Sequence, residues 1–261
     1  MSDPSSTHPL SGNAATVPPP LLPTPPDPDA PLGGNPSERV AIPASGVIEA
    51  ILREPRRVMF QLRQPGAGGL TAVMLLVALA GSLVYGLVAG TFSGGVQLWA
   101  APLKIAGVLF LSALICLPSL YIFGCLSGAR VRLGEMCGLV TGMLALMTLL
   151  LIGFVPVAWL FGQSTSSLAW MGTLHLVFGL IAAGFGLRFL QTGFSHAEAS
   201  SNGGLHVWVV IFVLVMLQMT TTLRPIVGTA PTLLPTEKEF FVSHWSDCLN
   251  AEAKGGARGG K

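Results

Sequence analysis

Ionised side chains are scarce in this chain, and carboxylates are scarcest where it is most apolar. Between Leu70 and Thr222 the only ones are Lys104, Arg130, Arg132, Glu135, Arg188 and Glu198. All lie in connections or near the ends of apolar runs. The absence of a mid-run carboxylate removes the usual handle for proton relays, cation coupling or a paired-aspartate hydrolase, chemistries that need buried ionisable groups. Only 10% of the 261 residues are charged and 51% are hydrophobic, whereas a soluble domain is about 25% charged. A net charge of +2 with no aromatic–basic patch gives no basis for a nucleic-acid partner.

Cysteine pairs are missing too. Cys116, Cys125 and Cys137 lie in or beside apolar runs and Cys248 stands alone, with no CxxC spacing. This excludes a disulfide framework or zinc site and predicts packing residues, with no metal or cofactor. There is no GxSxG, HExxH, P-loop or GxGxxG; the GTFSGG at residues 90–95 has the wrong spacing, so no enzyme is expected. The first residues lack a basic stretch followed by an apolar core, so the first hydrophobic span is expected to act as an uncleaved insertion signal.

Long apolar runs are what the chain does have. A hydrocarbon core about 30 Å thick needs about 20 helical residues. Five runs suffice: Leu70 to Phe92, Leu103 to Leu126, Met136 to Leu160, Leu168 to Leu190 and His206 to Leu223. None shows the period-two alternation of an outer-membrane barrel. The expected fold is all-α, a polytopic transmembrane bundle of five helices spanning residues 67–224. Arginines precede the first run, Arg130 and Arg132 sit in the second connection, and Arg188 opens the fourth, whereas FSGGVQLWAAP and FGQSTSS are uncharged. That pattern predicts a cytoplasmic N-terminus and an outer C-terminus; Arg224, at the outer end of the last run, is the exception.

Two prolines stand inside spans. Stopping the second helix before Pro118 would leave it too short to cross, so it is expected to continue, kinked, with Ser112, Ser119 or a neighbouring helix resatisfying the backbone. Pro156 repeats this in the third. Small residues recur every four positions at Ala78, Ser82, Gly86 and Gly90, and again at Gly134, Gly138 and Gly142, predicting close helix packing within the chain. Lys104, His175, Gln218 and Arg224 all fall in the outer half. They form either a polar pocket for an anionic group such as a lipid headgroup, or snorkelling cations with hydrogen bonds between helices. At the opposite face Glu135 is expected to pair with Arg130, Arg132 and Arg188.

Residues 1–45 hold most of the prolines and read as a disordered, partly polyproline II tail. Residues 46–66 interleave Val47, Ile48, Ile51, Leu52, Val58, Met59 and Leu62 with four arginines, predicting an amphipathic interfacial helix broken or started at Pro55. After the last span, residues 225–261 carry a capping box at Thr236 and Glu239 before Phe241, Trp245 and Cys248, predicting a short amphipathic helix.

With its polar N-terminal segment, ILREPRRVMFQL just before the membrane, five spans and a short outer C-terminus, the chain resembles the Yip1 family over roughly residues 45–225. Eukaryotic members are trafficking factors that associate with Rab GTPases and with one another; their DLYGP-type motif is absent here, so the resemblance does not extend to a GTPase partner. ICLPSLY and TLRPIVG are similar to stretches of bacterial multi-pass proteins. The excess of Gly, Ala, Pro and Arg over Lys points to a bacterial cytoplasmic membrane, with the ER or Golgi as the alternative. The expected role is a non-catalytic membrane protein that organises partners or lipids, with a homo-oligomer or other membrane proteins as partners. The alternative is a small permease or lipid transporter using the outer polar residues.

Overall fold

The computed structural model describes residues 31–93, 97–128, 132–164, 168–195 and 203–222. The proline-rich tail before residue 31, Arg130, Arg224 and the predicted C-terminal helix lie outside them. The described residues are helical, without a strand. Two short helices, α1 (Val47–Arg53) and α2 (Pro55–Leu62), precede five long ones. These are α3 (Gly68–Ser93), α4 (Gln97–Leu126), α5 (Leu133–Ser164), α6 (Leu168–Ser195) and α7 (Gly203–Thr222). All five are long and apolar enough to cross a membrane. The 32 residues of α5 measure about 48 Å at 1.5 Å per residue, so this helix exceeds the hydrocarbon thickness and must tilt or project from it.

The bundle is built around α3, which packs on α4 and α5; α6 packs on α5 and α7 on α4. Large side chains such as Leu76, Leu103, Leu114 and Leu126 point outward, as a lipid solvent permits. Trp99, Trp159 and Trp170 are exposed together at the end of the bundle remote from α1 and α2, the position of an interfacial aromatic belt.

Small residues set the register. Ala78, Ser82, Gly86 and Gly90 are all buried. A Cβ on Gly86 would lie 2.3 Å from the Pro102 Cα and 3.2 Å from the Ala101 carbonyl oxygen, so α3 and α4 meet there backbone to backbone. On α5, a Cβ on Gly138 would meet Leu62 at 2.6 Å, and one on Gly142 would meet Phe189 at 2.8 Å. Gly134 departs from the expected stripe: it is exposed and a Cβ there would meet nothing, because the stripe begins only where α2 and α3 reach α5.

Both α4 and α5 continue through their internal prolines. Pro102 belongs to this set as well, since α4 starts at Gln97, six residues before the predicted Leu103. Pro118 leaves the Leu114 carbonyl, four residues earlier, without its helical donor, and the hydrogen bonds formed nearby go to a different carbonyl. The Cys116 carbonyl accepts hydrogen bonds from Ser119 Oγ at 2.8 Å and from the indole nitrogen of Trp208, on α7, at 2.9 Å. The expectation for Ser112 is not met among the described residues, where its buried hydroxyl has no hydrogen-bond partner.

Residues 31–45, read from sequence as the end of the tail, fold onto α2 instead, together with Gly46. They form two 3₁₀ turns, Pro36–Arg39 and Ala44–Gly46. Gly33, at φ +85°, makes the turn that fits against the Phe60 ring. Glu38, 3% exposed, accepts from the Gly33 amide at 2.5 Å, Arg56 at 3.0 Å and Asn35 at 3.1 Å. Gln61 accepts from the Ile42 amide at 3.0 Å and donates to the Val40 carbonyl, and Arg57 donates to the Val40 and Ala41 carbonyls.

Burial alone would raise the Glu38 pKa, but the Gly33 amide, Arg56 and Asn35 outweigh it and hold the carboxyl below its ordinary value. A depressed folded-state pKa contributes stability above the unfolded value, and that stability is lost as pH falls through the folded one. Hydrogen exchange across residues 31–42, corrected for its intrinsic pH dependence, should therefore accelerate only in acid, as pH falls below the ordinary glutamate value and through the depressed one. Glu38→Gln should give the same acceleration at neutral pH.

Candidate functional site

Two of the predicted polar residues, Lys104 and His175, lie at one depth, and the helix contacts fix that depth. Gly86 lies opposite Pro102, which places Tyr85 on α3 level with the α4 turn that carries Lys104. On the other side of the bundle, Phe154 stacks on Phe178 with ring centroids 4.5 Å apart. Because α5 and α6 run antiparallel, Pro156 and His175 share the next turn, and it is the same level of the bundle. Tyr85 and His175 meet there: the hydroxyl lies 2.7 Å from Nδ1, with the two rings edge to face.

A neutral imidazole has one donor nitrogen and one acceptor. Whichever nitrogen carries the proton, Nε2 is buried without a hydrogen-bond partner among the described residues. Leaving such an atom unsatisfied costs about 1–3 kcal/mol, so this nitrogen is suited to a polar group that the described residues do not supply. Lys104 is only 4% exposed. Gln218 lies on α7, the helix that packs along α4. Arg224, the fourth predicted member, is outside the described residues.

Several hydroxyls elsewhere in the spans are directed to their own backbones. Ser82 donates to the Leu79 carbonyl, Thr141 to Cys137, Thr148 to Ala145 and Ser119 to Cys116. Such back-bonding satisfies a hydroxyl inside an apolar helix and engages its proton locally. The described cysteines are free thiols, buried at Cys116 and exposed at Cys125. No group of three His, Cys, Asp or Glu that could hold a metal occurs among the described residues.

At the opposite end the sequence expectation for Glu135 is corrected. Its carboxylate is bonded to Arg63, 2.8 Å away at the end of α2. Arg132 and Arg188 are exposed and make no ion pair among the described residues, and Arg130 lies outside them. The partner differs because α2 folds back onto α5 at Gly138, one turn from Glu135. The other arginines of the segment are paired as well: Arg53 with Glu49 four residues before it, Arg57 with Glu54 three residues before it, and Arg56 with Glu38 in the preceding 3₁₀ turn. Sequence reading missed Tyr85 as the partner of His175, because a lone tyrosine in an apolar helix gives no local signal. It also missed Glu38, which looked like a solvated tail residue.

No protein-family model, curated protein or solved structure matches the chain.

Proposed function

We propose that this integral membrane protein is a non-catalytic organiser of partners or lipids, with the layout of the Yip1 family, in a bacterial cytoplasmic membrane with its N-terminus inside. One observation carries the reading: the interior of the bundle is occupied by its own small-residue contacts and backbone-directed hydroxyls, with no carboxylate mid-span. That arrangement suits a scaffold whose outward surface does the work. Mild crosslinking of the native membrane, followed by purification of the full chain, should recover a defined membrane partner or a homo-oligomer. Recovery of monomer alone, unaffected by deletion of residues 1–30, overturns it. The deletion stops at residue 30 because Pro31 onward belongs to the folded part.

A second reading rests on His175 Nε2 and the buried Lys104. Together they offer a hydrogen-bonding atom and a cation to an anionic group entering from the tryptophan-lined end, as a small permease or lipid transporter would require. Liposomes containing the purified chain should then move solute or lipid, and Lys104→Ala and His175→Ala should each abolish that movement. Equal rates with and without the protein reject the transport reading and leave the scaffold reading standing.

A further inference from the structure

The helix α1 has three faces where an ordinary amphipathic helix has two. At about 100° per residue, Val47, Ala50 and Ile51 share one arc, and all three are buried, with α1 packed against α3 and α5. Ile48 and Leu52, one turn apart, occupy the adjoining arc and are 45% and 50% exposed. Glu49 and Arg53 fill the remaining arc, paired at 3.3 Å and almost wholly in solvent. The apolar exposed edge therefore lies between the face on the bundle and the face carrying charge.

The depth of the helical pair is fixed as well. Leu62 at the end of α2 packs on Gly138, five residues into α5 and about 7–8 Å inside its end. The pair thus lies alongside the first turns of the spans. At that depth a side chain that points away from both the bundle and the charged face meets lipid.

We infer that the Ile48–Leu52 edge is a lipid-contacting surface that enters the boundary between headgroups and acyl chains, and that its lipid partner need not be anionic. This rests on the membrane-spanning reading of α3 to α7. The second half follows from the pairing of charge: Arg53, Arg56, Arg57 and Arg63 each face a carboxylate at 2.8–3.3 Å. A polybasic patch drawn to acidic headgroups needs free cations; here the attraction comes from apolar contact. Acidic lipid should add little.

The test uses the full chain in lipid nanodiscs, with native cysteines replaced and one nitroxide at Ile48→Cys, Leu52→Cys, Glu49→Cys or Leu76→Cys. All four sites are exposed, so the label displaces no packed side chain. Collision with oxygen relative to a water-soluble nickel chelate should be several-fold higher at 48 and 52 than at 49. That ratio should be the same in pure phosphatidylcholine and in an equal mixture with phosphatidylglycerol. Water-like values at 48 and 52, or lipid-like values only with phosphatidylglycerol, overturn the inference. Leu76, on the outward face of α3, separates the two levels of failure. If 76 is lipid-like and 48 and 52 are not, only the edge is wrong; if 76 is also water-like, the spanning reading falls with it.

Discussion

Gly86→Ala should separate α3 from α4 and destabilise the bundle by about 1–3 kcal/mol, with Gly86→Val and larger residues preventing assembly. The added methyl would lie 2.3 Å from the Pro102 Cα and 2.9 Å from its nitrogen. Both are backbone atoms of a ring-locked residue, so neither can rotate away as a side chain could. Relief requires moving one helix against the other, and α3 is also packed along α5. The close approach would be lost along the whole stripe from Ala78 to Gly90. Unfolding in mixed micelles with increasing denaturing detergent measures the loss. Gly134→Ala is the matched control, since a Cβ there meets nothing, and it should leave the midpoint unchanged. If Gly86→Ala behaves like Gly134→Ala, the backbone contact does not govern the packing of the bundle.

Trp208→Ala should have the other large effect, through a different mechanism. The indole is 1% exposed, donates to the Cys116 carbonyl at 2.9 Å and stacks on Phe212 at 5.3 Å. Removing so large a side chain from a packed site costs about 3–5 kcal/mol. Trp208→Phe keeps most of the ring volume and loses the donor, a cost of about 1–2 kcal/mol by the measure of interhelical hydrogen bonds in membranes. The difference between the two variants separates packing from hydrogen bonding. Because α7 is held mainly by α4, the alanine variant should loosen α7 first. Thiol-reactive probes placed on the inward side of α7 should become accessible before those on α5. Uniform loosening of all helices would mean that α7 is integral to the bundle and not an attached flank.

These two sites show what could be read in the chain beforehand and what could not. Gly86 was visible because a four-residue period of small side chains is a one-dimensional signal. The five spans were visible for the same reason, since lipid demands long uninterrupted apolar stretches. Trp208 gave no such signal: its role depends on which helix it faces, and an aromatic residue in an apolar run fits any neighbour. The proline at 118 announced that a partner was needed, but the two candidate hydroxyls nearby behaved differently, Ser119 bonding the Cys116 carbonyl and Ser112 remaining without a partner among the described residues. In the polar layer, position along the helices placed Lys104 and His175 at one depth. Its key contact, Tyr85 to His175, joins residues ninety positions apart and is fixed by packing alone. The Arg63–Glu135 pair was misassigned for a related reason. Sequence distance favoured arginines beside Glu135, while the fold brought α2 back across Gly138.

The pairing of its arginines changes what the basic segment presents to its surroundings over time. The bias that orients a nascent chain counts lysines and arginines, and acidic residues contribute little to it. During insertion the guanidinium groups of residues 53–63 are therefore a strong label for one side. In the finished molecule each of the four is matched by a carboxylate within 3.3 Å. A molecule diffusing up to that end later finds the cations of this segment matched, with the exposed Arg132 and Arg188 left without an ion pair among the described residues, so one short segment is a loud address for the insertion machinery and a nearly silent wall afterwards.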